Sequence, residues 1–150
     1  PTQRGWCDEM TKVDFYLLGA DGDSRERIAC RLAEKTWRLG NRVYLLAPDK
    51  PAALELDELL WTFSQGSFVP HAVCANDSDA EVHPVLIGHS EPPAALHDVL
   101  ISLAPEVPTW FSRFARIAEL VGAAEEDKAR GRERFRYYRE RGYPLETHDL

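Results

Sequence analysis

No run of about 18 apolar residues occurs in this chain, so no segment is expected to cross a membrane. No basic stretch followed by an apolar core stands at the amino terminus, and no secretory signal is expected. Cysteine is scarce. Cys7, Cys30 and Cys74 are odd in number, far apart and without a CxxC pair. That usage predicts a reducing, cytoplasmic setting and not a disulfide framework. The five histidines, His71, His83, His89, His97 and His148, show no metal-ligand spacing, so no metal or other cofactor is expected. Methionine occurs once, at Met10, and "PTQRGWCDE" before it carries no periodic pattern. Residues 1–9 are therefore read as a tag or upstream extension, and residues 10–150 as one domain. A chain of 150 residues can bury roughly 68–70% of its unfolded surface, enough for a single substantial core.

Catalytic signatures are thin as well. "LLGADGDSRE" follows an apolar run as a phosphate loop would, but it has only Gly19 and Gly22 where a dinucleotide fingerprint needs three glycines. Asp21 and Asp23 would repel a phosphate there. As an Asp-x-Asp pair they form the basis of one alternative, a Rossmann-like nucleotide- or phosphate-processing enzyme, although no partnering lysine or later acidic pair accompanies them. "IGHSE" sets a serine beside a histidine without a GxSxG elbow, and neighbours in a strand point to opposite faces. No enzyme constellation rises above background.

What the chain does have is alternation of short apolar runs with helical patterns. "KVDFYLL" reads as a strand, and "SRERIACRLAEKTWRLGNR" as a helix capped by Asp23 or Ser24 and closed at Gly40. "RVYLLA" is a second strand, and "PDKPAALELDELLW" a helix with Asp49 as cap and Pro51 in its first turn. "HPVLIG" and "DVLISL" read as strands, "PTWFSRF" as a helical turn, and "ARIAELV" as a last strand with a helix in competition. "AAEEDKARGRERFRYYRERG" is a final helix. This order predicts a three-layer, Rossmann-like α/β fold, with a mostly parallel or mixed sheet and helices on both faces.

Two stretches stand out. The net charge is −7, yet seven Lys or Arg residues and only two acids lie between Lys128 and Arg141. At about 100° per residue, Lys128, Arg132, Phe135, Arg136 and Arg139 share one sector of the final helix. Arg with an interleaved aromatic suits a carboxylate or phosphate partner. An acidic peptide ending in an apolar residue fits it, as does direct binding of single-stranded DNA by the basic helix; the net charge favours the peptide. The second stretch is "LWTFSQGSFVPH", where Trp61, Phe63 and Phe68 sit among loop-forming residues. It is either a flap over the core or an exposed apolar patch of the kind that marks a protein interface.

The succession "LAEKTWRLGNRVYLLAPD", "LDELLWTFSQGSFVPH", "VPTWFSRFARIAELV" and "KARGRERFRYYRERGYPL" resembles the chi subunit family of bacterial DNA polymerase III. The specific marks are LDE-x-LW followed by SFVPH, and RERxRxYRxRG. The resemblance implies a fold similar to a nucleotide-binding domain without nucleotide chemistry. It also implies a non-catalytic accessory subunit of the clamp-loader assembly. Such a subunit bridges the psi subunit, which holds it to the clamp loader, and the acidic, Phe-terminated tail of single-stranded DNA-binding protein. DNA is then engaged indirectly, and a repair-type helicase competes with psi in some members. Carried over by position, the tail would meet Val121, Lys128, Arg132, Phe135 and Arg136, with Arg132 as the main carboxylate contact. Some relatives have Tyr where this chain has Phe135. The psi or helicase surface would comprise Trp61, Phe68, Val69 and Pro70.

Overall fold

The computed structural model describes residues 11–19, 24–63, 69–73, 83–93 and 96–149. Residues 1–10, Asp21, Asp23, Phe68 and Cys74, on which several expectations fall, lie outside that set. Among the described residues the chain forms seven strands, β1 (Lys12–Leu17), β2 (Val43–Leu46), β3 (His71–Val73), β4 (Val85–Gly88), β5 (Val99–Ser102), β6 (Arg116–Val121) and β7 (Leu145–Asp149). Three helices accompany them, α1 (Arg25–Arg38), α2 (Lys50–Thr62) and α3 (Glu125–Glu140), with a single 3₁₀ turn at Phe111–Arg113. The strands make one sheet in the order β3-β4-β2-β5-β6-β1-β7, and every pairing is parallel. The sheet is thus all-parallel, the purest of the arrangements the sequence allowed.

Local chemistry explains the helix limits. The Ser24 side chain accepts from the Arg27 N–H, and Asp49 accepts from the Ala52 N–H, each satisfying an amide that the first turn leaves orphaned. Gly40 follows α1 with φ of 94°, a left-handed conformation that costs a residue with a Cβ. The run around Ile117 and Leu120 is a strand because it lies between β5 and β1, with residues on both faces buried.

Alternate residues of each strand feed two apolar layers. Val43, Leu45, Val85, Ile87 and Ile101 pack under Ala29 and Ala33 of α1 and Ala53, Leu56 and Leu60 of α2. Tyr44, Leu46, Leu86, Leu100 and Phe15 point the other way, toward Phe111, Phe114 and Tyr138. Burial on both faces is why β2, β4 and β5 read as unbroken apolar runs. β3 and β7 have no such run, because they are the sheet edges and each is covered less.

The layer under α3 holds a buried charge. Glu119 of β6 has no exposed surface, and Arg134 is 5% exposed. Arg134 Nε donates to Glu119 Oε1 at 2.9 Å, and the Tyr138 hydroxyl donates to Oε2 at 2.7 Å. Burial pushes the Glu119 carboxyl up from its ordinary range, against the opposing pull of Arg134 and Tyr138. Burial and the Glu119 charge likewise raise the Tyr138 phenol, which therefore keeps its proton. Gly131 lets α3 approach this strand: a Cβ there would sit 2.9 Å from the Val121 side chain. Replacing Arg134 with Met should leave an uncompensated buried carboxylate and cost about 3–5 kcal/mol. Urea unfolding would show it as a lower midpoint at constant slope, and Glu119→Gln in the same background should return part of the loss.

At the other edge, Asp14 ties β7 into the sheet. Arg116 Nη2 lies 2.8 Å from its carboxylate and His148 Nε2 lies 3.1 Å from it. Burial alone would raise the Asp14 carboxyl, but these two hydrogen bonds and the Arg116 charge together hold it below 3.8. A carboxyl lowered in the folded state stabilises that state above its unfolded value, and the contribution disappears as pH falls through the folded value. Stability against urea should therefore decline as pH drops below about 3.8, and Asp14→Asn should flatten that part of the acid limb.

Candidate functional site

Parallel sheets bind ligands at the carboxyl ends of their strands, where neighbouring connections leave to opposite faces. β1 leads into α1 on one face, and β6 leads into α3 on the other. A cavity of about 340 Å³ opens there, between α3 and the ends of β1, β6 and β7. Its walls are apolar, from Phe15, Leu17, Leu18, Val121 and Phe135, and Lys128 and Arg132 add positive charge. Phe135 is held by an edge-to-face contact with Phe15, ring centroids 5.3 Å apart, and Arg139 lies 6.0 Å over its outer side.

Four residues singled out from the sequence, Val121, Lys128, Arg132 and Phe135, thus line one cavity. Arg136 is exposed on the same helix and does not line it. Among the described residues, Lys128, Arg132 and Arg136 have no acid and no hydrogen-bond partner. Their guanidinium and ammonium donors are therefore available to a ligand. A cationic, apolar-walled cleft of this kind can hold an apolar side chain that carries a carboxylate beside it.

The other predicted patch is split by the fold. Trp61, at the end of α2, is 51% exposed and packs on the His71 ring at 4.5 Å between centroids. Pro70 is partly exposed, but Val69 is 1% exposed and belongs to the α1–α2 layer. Val69 is therefore a support for that patch and not part of its surface. Phe63 is core too, and its carbonyl accepts from Arg27 Nη2 at 2.9 Å. His71 is buried, with Nδ1 2.6 Å from the Val69 carbonyl and Nε2 3.2 Å from the Asp57 carbonyl, so it fastens the segment to α2.

The sequence reading missed the Glu119–Arg134–Tyr138 group. A signal was present: an acid in the middle of "RIAELV", flanked by apolar residues, demands a buried cation. It also missed that Asp14, Glu146 and His148 converge within 4.8 Å, since they come from strands at opposite ends of the chain. Arg116 and Lys12 already sit on the two carboxylates, at 2.8 and 3.1 Å, and make this an ion network. His89 and Ser90 are exposed on the loop after β4, where the Ser90 carbonyl accepts from the Tyr44 hydroxyl.

The chain is thus a Rossmann-like α/β module, an all-parallel sheet with a cation-rimmed apolar cleft beside α3. The family model described as DNA polymerase III chi subunit, HolC, matches residues 10–146. The chain belongs to that family, whose members are non-catalytic accessory subunits of DNA polymerase III. It is 45% identical over 142 residues to the DNA polymerase III subunit chi of Pseudomonas aeruginosa, covering 94% of this chain and 98% of that one. The Escherichia coli subunit chi is 31% identical, over 92% of this chain and 97% of its own length. The Haemophilus influenzae subunit chi is 33% identical, over 92% and 96%. The crystal structure of T4 UvsW superposes with a TM-score of 0.65 at 8% identity, over 95% of this chain and 42% of that one, a likeness of fold alone.

Proposed function

We propose that this chain is a bridge within the replicase, holding the acidic tail of single-stranded DNA-binding protein in the α3 cleft and docking on psi through the Trp61 patch. The observation that carries the reading is the pair Lys128 and Arg132, without partners among the described residues, at an apolar cavity. The tail's terminal Phe would enter against Phe15, Val121 and Phe135. Its carboxylates would meet Arg132 first, then Lys128, with Arg136 further along the helix. Burying the aromatic ring contributes roughly 1.5–3 kcal/mol. Phe135 has no hydroxyl, so it adds area and no hydrogen bond. The bridge raises the local concentration of the clamp loader near coated single strands, in the cytoplasm, without chemistry of its own.

Titration of a labelled acidic tail peptide tests the cleft. Arg132→Ala should weaken binding about tenfold or more, since a charged hydrogen bond is worth roughly 1.5–3 kcal/mol. A peptide lacking the terminal Phe should bind more weakly still, and added salt should weaken the native pair. Equal affinity of Arg132→Ala and the unaltered chain would refute this use of the cleft.

Trp61 is half-exposed and anchored on His71, which suits an interface anchor. In co-purification, Trp61→Ala should lose psi and leave tail-peptide affinity unchanged. A repair-type helicase using the same surface would compete with psi for the unaltered chain and would also be lost from Trp61→Ala. Retention of psi by Trp61→Ala would move the docking surface elsewhere.

A further inference from the structure

A second cavity, of about 190 Å³, lies on the opposite flank of α3. Pro48 follows β2, and Leu103 and Pro105 follow β5, so this cavity too opens at the carboxyl edge of the sheet. Among the described residues, Arg25, Arg130 and Arg134 line it with a single acid, Asp127. Arg134 is fixed there, since its Nε is held by Glu119 and its Nη1 donates to the Pro105 carbonyl at 3.0 Å. Arg25 and Arg130 have neither an acid nor a hydrogen-bond partner among the described residues. Arg25 is also the first residue of α1, so it reaches the cavity from a different element than Arg130.

We infer that this cavity is a phosphate-binding site, separate from the tail cleft. Glu119 neutralises Arg134, so among the described residues Arg25 and Arg130 exceed Asp127 by one positive charge, and Arg134 adds oriented donors. A phosphate offers oxygens in several directions and can accept from all three, whereas a planar carboxylate is satisfied by one fork. The fixed Arg134 supplies a preorganised donor, while Arg25 and Arg130 close from two different elements, α1 and α3. The phosphate belongs either to the backbone of a single strand or to a free nucleotide, and the geometry is the same for both.

The test is a titration of the full chain, followed by the backbone amide resonances of Leu103 and Arg130, with inorganic phosphate, thymidine triphosphate and single-stranded oligothymidylate in turn. Phosphate is expected to shift both resonances saturably. Arg25→Ala and Arg130→Ala should each weaken binding about tenfold. Asp127→Asn should strengthen it about fivefold by removing a like charge. Arg132→Ala, which acts in the tail cleft, should leave it unchanged. Tightest binding by oligothymidylate, with the same arginine dependence, assigns the site to a strand backbone; tightest binding by the triphosphate assigns it to a nucleotide. Failure of all three anions to give a saturable shift would overturn the inference, as would a shift that survives loss of both Arg25 and Arg130. Neither arginine holds the fold together, and Asp127→Asn gives an independent reading of opposite sign.

Discussion

The Glu119–Arg134–Tyr138 group is the constraint on which the working surface of this molecule depends. A charged pair inside an apolar layer contributes little net stability, because both ions have been taken from water. It does discriminate strongly among packings. Sliding α3 by one residue would turn Arg134 away from Glu119 and leave each buried charge alone, at a cost far above that of a misfitted apolar contact. Gly131 removes the steric obstacle to this register, since a side chain there would press on Val121. The helix is thus locked in rotation and in height above β6. Both cavities flank it, so both inherit their shape from this one contact.

The same lock explains how α3 can carry so many outward cations. A helix bearing Lys128, Arg130, Arg132 and Arg136 without acid partners among the described residues is not optimised for its own stability. Glu125, Glu126 and Asp127 in its first turn favour the helix dipole, and Arg139 in the last turn does likewise. The aromatic cluster of Phe111, Tyr137, Tyr138 and Tyr143 anchors its carboxyl half from below. With the lower face so firmly held, the upper face is free to keep donors open for a ligand. In the proposed reading, the outward cations are a cost to folding and an asset to binding.

How much of this could be read from the sequence follows from where each residue is buried. β2, β4 and β5 are covered on both faces, so their apolar runs were plain. Ser24, Asp49, Pro51 and Gly40 are local devices whose chemistry acts within one turn, and they stood where the pattern placed them. β7, "LETHD", escaped because an edge strand with one half-buried face has no apolar signature; its place is set by Asp14 and by pairing with β1. The residues lining the α3 cleft from the helix were legible as a helical sector, since Lys128, Arg132 and Phe135 are spaced by helical turns. Their neighbours Phe15, Leu17 and Leu18 were not, because only the parallel pairing of β1 with β6 brings them under α3. Arg134 looked like one more surface cation until the sheet supplied Glu119. Val69 was misjudged for a related reason: an extended segment shows which residues are apolar, but not which side the core lies on.

The separation of the surfaces bears on how a bridge of this kind can work. The α3 cleft opens on the layer that holds Phe15 and Val121, whereas Trp61 ends a helix packed on the opposite face of the sheet. A ligand in the cleft and a protein on Trp61 would therefore have the whole thickness of the sheet between them. Neither would have to displace the other. The all-parallel sheet between the two sites is a stiff spacer, with six parallel pairings and no strand shared between Trp61 and the cleft. In the proposed reading, coupling between tail and clamp loader is then a matter of tethering and not of induced change. A weak tail contact suffices for it, because a tethered second contact forms at high effective concentration. A weak, salt-screened contact also releases readily, as a subunit travelling with a moving replicase requires.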